Sequence, residues 1–141
     1  MKITMNQYIS RRLDGVEGEI PRLIHMLNKC FKQKNFINFW KYWNPIYGYI
    51  LGYYVRKPLR KIFPQKIARS LTLVINGMFH DIVVSLIIGR IFFSVTLLFI
   101  IYSLILVIEE NFNIEMNTTF SRITYNMTIL LVPFFLLIIL F

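Results

Sequence analysis

The chain has 141 residues, of which 56% are hydrophobic, and it carries a formal net charge of +9 and one cysteine. A mean hydropathy of +0.55 is too apolar for an ordinary soluble domain of this length. The single cysteine, Cys30, excludes an intramolecular disulfide framework and any multi-cysteine metal site.

Charge is unevenly distributed. Thirteen of the 16 Lys and Arg lie in residues 1–66, and only Arg69, Arg90 and Arg122 follow. A basic pole beside hydrophobic spans predicts a cytoplasmic face held against anionic headgroups. Nucleic-acid binding would also suit a pI near 9.9, but no nucleic-acid-binding motif accompanies these charges. The first 20 residues lack an apolar h-region, so no signal peptide is expected.

Residues 1–38 read as a basic peripheral segment. Residues 14–19 form a turn pattern, and Pro21 suits the first position of a helix. Leu23, Ile24, Leu27 and Phe31 then recur at helical spacing among lysines, predicting an amphipathic interfacial helix. His25 has no partner pattern nearby and reads as an ordinary surface or interface histidine. Cys30, among Lys29, Lys32 and Lys34, reads as an incidental thiol in a polar stretch.

Residues 39–141 read as the membrane domain. Aromatic side chains crowd residues 39–55, as expected at headgroup level, and an interfacial helix is predicted over 45–56. Gly48 and Gly52 would let another helix approach. Arg56, Lys57, Pro58, Arg60, Lys61 and Pro64 make a basic linker in which Pro58 should stop or kink the helix before it. Three apolar runs follow, Ala68–Gly89, Ile91–Val107 and Ile123–Phe141, each long enough or nearly so to cross a hydrocarbon core of roughly 30 Å. The fold class is therefore all-α integral membrane, with about three transmembrane helices plus amphipathic interfacial ones. Glu109 and Glu110 are expected to terminate the second span, and Pro133 to kink the third. This order predicts an external turn at Gly89–Arg90, a cytoplasmic loop over 109–122 and an external Phe141. The glycosylation pattern at Asn117–Thr119 would then face the cytoplasm and carry no sugar.

The first span contains the chemistry. Arg69, Thr72, Asn76 and His80 fall at i, i+3, i+7 and i+11, on one face of the helix, with Asp81 beside them. Lipid cannot satisfy such a stripe, so it must face protein or water, and an intramembrane His–Asp pair points to function.

The stretch over residues 36–95 resembles the membrane-bound O-acyltransferase family, most of all its sterol and diacylglycerol branch. The resemblance rests on Phe39-Trp40-Lys41-Tyr42-Trp43-Asn44, on Tyr54-Val55-Arg56-Lys57-Pro58-Leu59, and on Phe79-His80-Asp81, with 80 − 44 = 36 residues between Asn44 and His80. Members of that family usually have several hundred residues, so this chain corresponds to the catalytic half of the signature. The resemblance implies transfer of an acyl group from a thioester such as acyl-CoA to a hydroxyl acceptor. His80 would be the general base and Asn44 the second catalytic residue, with Asp81 or Asn76 orienting the ring. Arg56, Lys57 and Arg60 would neutralise the phosphates of acyl-CoA, a co-substrate and not a tightly bound cofactor. Expected partners are membrane lipids, the donor and acceptor, and a second copy or another membrane subunit, because three spans are too few to enclose a tunnel. The alternatives are a non-catalytic acyltransferase-like scaffold and a small proton-coupled transport subunit using His80 and Asp81.

Overall fold

The computed structural model describes residues 3–140, leaving out the side chain of Leu140. The protein is all-α, with three helices long and apolar enough to cross a membrane. Phe141 lies outside the described residues, and with it the expected external end of the chain.

Helix α6 (Gln65–Ile88) and helix α7 (Ser94–Phe112) form the central hairpin. Gly89 ends α6 in the left-handed conformation at φ +73°, which a residue without Cβ adopts freely. One turn before His80, Gly77 lets the two helices touch. A Cβ at Gly77 would sit 2.9 Å from both Thr96 Cα and Phe99 Cβ. The N-cap of α7 is Phe93, which has no side-chain oxygen to offer the free amides of the first turn. Asp81 supplies it from the neighbouring helix, accepting from the Val95 amide at 3.0 Å and the Thr96 amide at 2.7 Å. Ser85 Oγ accepts the Phe92 amide at 2.9 Å and fixes the turn.

The second span begins and ends later than residues 91–107. Residues 91–93 are non-helical, and α7 continues through both glutamates to Phe112. Both acids find partners there. Glu110 pairs with Arg69 of α6, while Glu109, 1% exposed, accepts the Phe36 and Ile37 amides at 2.8 Å each. Those amides open helix α3 (Phe36–Tyr42), whose third free amide, that of Asn38, is taken by Asn35. A carboxylate that would end a bare membrane span is here a buried helix cap.

Residues 3–38 are consequently tied into the bundle. The expected boundary at residue 38 falls inside α3, whose Phe36 and Phe39 are fully buried and stack at 5.1 Å, with Tyr102 and Leu106 in the same core. Helix α2 (Glu19–Phe31) begins two residues before Pro21, and its last turn packs inward at Cys30. Asn126 of the third long helix, α8 (Thr119–Leu140), donates to the carbonyls of Phe31 at 3.2 Å and Gln33 at 2.8 Å. Helix α8 starts before Ile123 because Thr118 and Ser121 cap each other's amides at 3.2 Å. It continues through Pro133, and in the turn before that proline the Leu130 carbonyl accepts the Tyr102 hydroxyl at 2.6 Å.

Helix α1 (Met5–Arg12) lies on helix α4 (Pro45–Ile50), with the Tyr8 hydroxyl 3.5 Å from where a Gly48 Cβ would stand, whereas Gly52 faces open space. The expected helix over 45–56 does not stop before Pro58. It widens to a π-helix over Leu51–Arg56 and continues as the short helix α5 (Lys57–Leu59). Pro58 has no amide to donate and its ring crowds the preceding turn, so a wider turn carries the chain through. The segment packs along α6, bringing Tyr47 against His80, so it dips beside the span.

Candidate functional site

A cleft of about 500 Å³ runs between α3, the α4–α5 segment, α6 and α7. Gln65 and Arg69 mark one end along α6, and His80 lies 15 residues beyond Gln65, roughly 22 Å at 1.5 Å per residue. Arg69, Thr72, Asn76 and His80 all line this cleft, so the polar face of α6 meets protein and cavity, not lipid.

The His80 ring is half-buried between two aromatic rings. Tyr47 stacks on it with centroids 5.9 Å apart and planes 19° apart, and Phe99 lies 5.9 Å away at 32°. Among the described residues, neither ring nitrogen has a hydrogen-bond partner. The ring is thus positioned by stacking, and His80 lines the cleft.

Asn44 borders the same cleft. It holds a left-handed φ of +42°, which asparagine tolerates because its side chain bonds locally. Its Oδ1 accepts the Tyr47 amide at 3.3 Å, so its remaining polar atom, the Nδ2 amine, can only donate. Arg56 and Arg60 line the mouth, but Lys57 turns away, with its ammonium 5.0 Å from the Tyr53 ring.

Asp81 is not part of this constellation. It is 3% exposed, faces the first turn of α7 and borders a separate apolar groove at the far end of the hairpin. Both of its oxygens are engaged by α7 amides, which leaves the orienting of His80 to the rings of Tyr47 and Phe99.

Several site residues had no distinct signal in the sequence. Arg12 of α1 and Lys41 of α3 join Arg56, Arg60 and Arg69 in the lining, which contains no carboxylate. Arg69 is neutralised by Glu110, so the excess charge at the mouth comes from the other four. Trp40 and Phe99 form the wall beside His80, with ring centroids 5.6 Å apart. Trp40 was visible as part of an aromatic motif, but its orientation depends on where α3 docks.

Cys30 and His25 lie outside the cleft. Cys30 is fully buried, and burial pushes its thiol up to about 11, the reverse of what its lysine neighbours in sequence would do. His25 does have a partner, since its Nε2 lies 2.9 Å from Asp14 Oδ2. Lys29 Nζ donates to the same carboxylate at 2.7 and 2.8 Å. The hydrogen bonds from Lys29, then from His25, hold Asp14 below the usual carboxylate range.

Fold and site together define an integral membrane protein with a basic-mouthed, histidine-floored cleft. No family model, curated protein or solved structure matches the chain.

Proposed function

We propose that this protein is a membrane-embedded acyltransferase that moves an acyl group from a thioester donor to a hydroxyl acceptor, with His80 as general base. One observation carries the reading: Asn44, Asn76 and His80, drawn from two separate segments, border a single cleft with Arg56 and Arg60 at its mouth. Guanidinium groups suit the phosphates of an acyl-CoA donor.

The chemistry follows from the groups available. A ring nitrogen of His80 takes the hydroxyl proton as the acceptor oxygen attacks the thioester carbonyl. The C–S bond then breaks, the new ester C–O bond remains, and the proton passes from the imidazolium to the leaving thiolate. General-base assistance of this kind is worth typically about 10²–10⁴-fold. The Asn44 Nδ2 amine is suited to donate to the carbonyl oxygen as it gains charge. In this reading the basic pole and the 113–118 connection between α7 and α8 face the cytoplasm, where acyl-CoA is found.

A second reading, a binding subunit without chemistry, is favoured by the lack, among the described residues, of any carboxylate paired with His80. Acyl-transfer profiling of cells expressing wild-type protein or His80→Ala at matched levels separates the two. Transfer should fall to background in His80→Ala with membrane insertion intact, and Asn44→Ala should reduce it. Equal transfer by wild type and His80→Ala would sink the mechanism.

A further inference from the structure

Three buried polar atoms in the cleft wall, one each on Trp40, Arg69 and Asn76, have no partner among the described residues. Asn76 is 6% exposed and its Oδ1 is unpaired, and the Trp40 Nε1–H is buried and unpaired as well. Three polar side chains of the lining have at least one partner. Thr72 donates to the Ala68 carbonyl at 2.6 Å, Arg69 is paired with Glu110, and Asn44 holds the Tyr47 amide. Buried polar groups are ordinarily paired, so this concentration beside a cavity points to a ligand.

Trp40 and Asn76 differ in kind. The indole N–H only donates, whereas the unpaired atom of Asn76, its Oδ1, only accepts. A hydrocarbon chain would leave both unmet, and a carbonyl oxygen would serve the indole alone. A hydroxyl serves both, with its oxygen accepting from Trp40 and its proton going to Asn76. Asn76 stands one turn before His80, roughly 6 Å along the same helix, a separation available between two hydroxyls of one glycerol or pyranose unit.

We infer that Trp40 and Asn76 form a hydroxyl-binding subsite that selects a polyol acceptor, a glycerol- or sugar-headed amphiphile, over a monohydroxy one. One hydroxyl is held between Trp40 and Asn76, and a second hydroxyl of the same headgroup is presented to His80. This rests on the acyl-transfer reading for its consequence, but not for the binding itself.

The test uses the full chain in lipid nanodiscs with an acyl-CoA donor and two acceptors of matched chain length, a monoacylglycerol and hexadecanol. Two neutral hydrogen bonds of ordinary strength correspond to a preference of roughly 30-fold for the monoacylglycerol, about fivefold for each bond. Asn76→Leu and Trp40→Phe should each cut that ratio about fivefold, and the ratio cancels effects on folding and on donor binding. A binding measurement independent of turnover accompanies it. In a Trp43→Phe protein, Trp40 is the remaining indole, and a hydrogen bond to its N–H shifts its emission to the red. Monoacylglycerol should produce that shift and hexadecanol should not. The shift without any transfer would uphold the subsite and overturn the acyl-transfer reading. Transfer with no preference and no shift would overturn the subsite alone, as expected if Trp40 and Asn76 simply bond to each other. A preference unchanged in both variants would also overturn it.

Discussion

Replacing Asp81 with asparagine separates a structural role from a catalytic one at the residue beside His80. The carboxylate accepts two backbone amides of α7, at 3.0 and 2.7 Å, from a position 3% exposed. Hydrogen bonds to a charged group contribute about 1.5–3 kcal/mol each. Asparagine keeps one oxygen but turns an amine toward the other amide, so one bond is lost and the remaining one loses its charge. The uncapped amide is part-buried near where Gly77 brings α6 and α7 together. We expect a loss of about 2–4 kcal/mol, read as a lower midpoint when reconstituted protein is unfolded with SDS and followed by tryptophan fluorescence. Acyl transfer per folded molecule should be unchanged, because the His80 ring is held by Tyr47 and Phe99. An unchanged midpoint together with lost transfer would refute the capping argument and return Asp81 to the orienting of His80.

Glu109→Gln removes one of two charged bonds from a position 1% exposed and should cost about 3 kcal/mol, releasing α3. Faster proteolysis between α2 and α3 is the expected sign, and an unaltered cleavage rate would count against the cap. Asp14 has a folded pKa held below its ordinary 3.8, so its contribution is complete above that value and is lost as the pH falls through the folded pKa. Hydrogen exchange across residues 12–29 should therefore speed up only below pH 3.8, and Lys29→Ala should move the onset upward; an onset near neutrality would show that the Asp14 contact is not what orders this turn. With its thiol at about 11, Cys30 should carry only about one thiolate in ten thousand at pH 7 and resist maleimide. An Asn113→Cys protein should then label at one position, from the cytoplasmic side; labelling by an impermeant reagent added outside intact cells would reverse the topology.

What the amino-acid sequence determined by itself was the part set by one-dimensional physics. Three apolar runs had to become helices, because a hydrocarbon environment leaves backbone amides no other partner. The i, i+3, i+7, i+11 spacing put Arg69, Thr72, Asn76 and His80 on one face, and all four line the cleft. Helix α4 begins at Pro45, where proline and asparagine chemistry placed it. Only the tertiary structure decided how each charge is used. Glu109 looked like the end of a span because its partners, the Phe36 and Ile37 amides, lie more than 70 residues away in the chain. Asp81 looked like a partner for His80 because the two are adjacent in sequence. Successive residues on a helix point about 100° apart, however, so His80 faces the cleft and Asp81 faces α7. Cys30 read as a thiol in a polar stretch for the same kind of reason: its neighbours in sequence are lysines, but the side chain itself is fully buried in the core. Spacing fixes which residues share a face, but the docking of α3 and α7 against that face decides which of them are caps, which are walls and which remain open to a ligand.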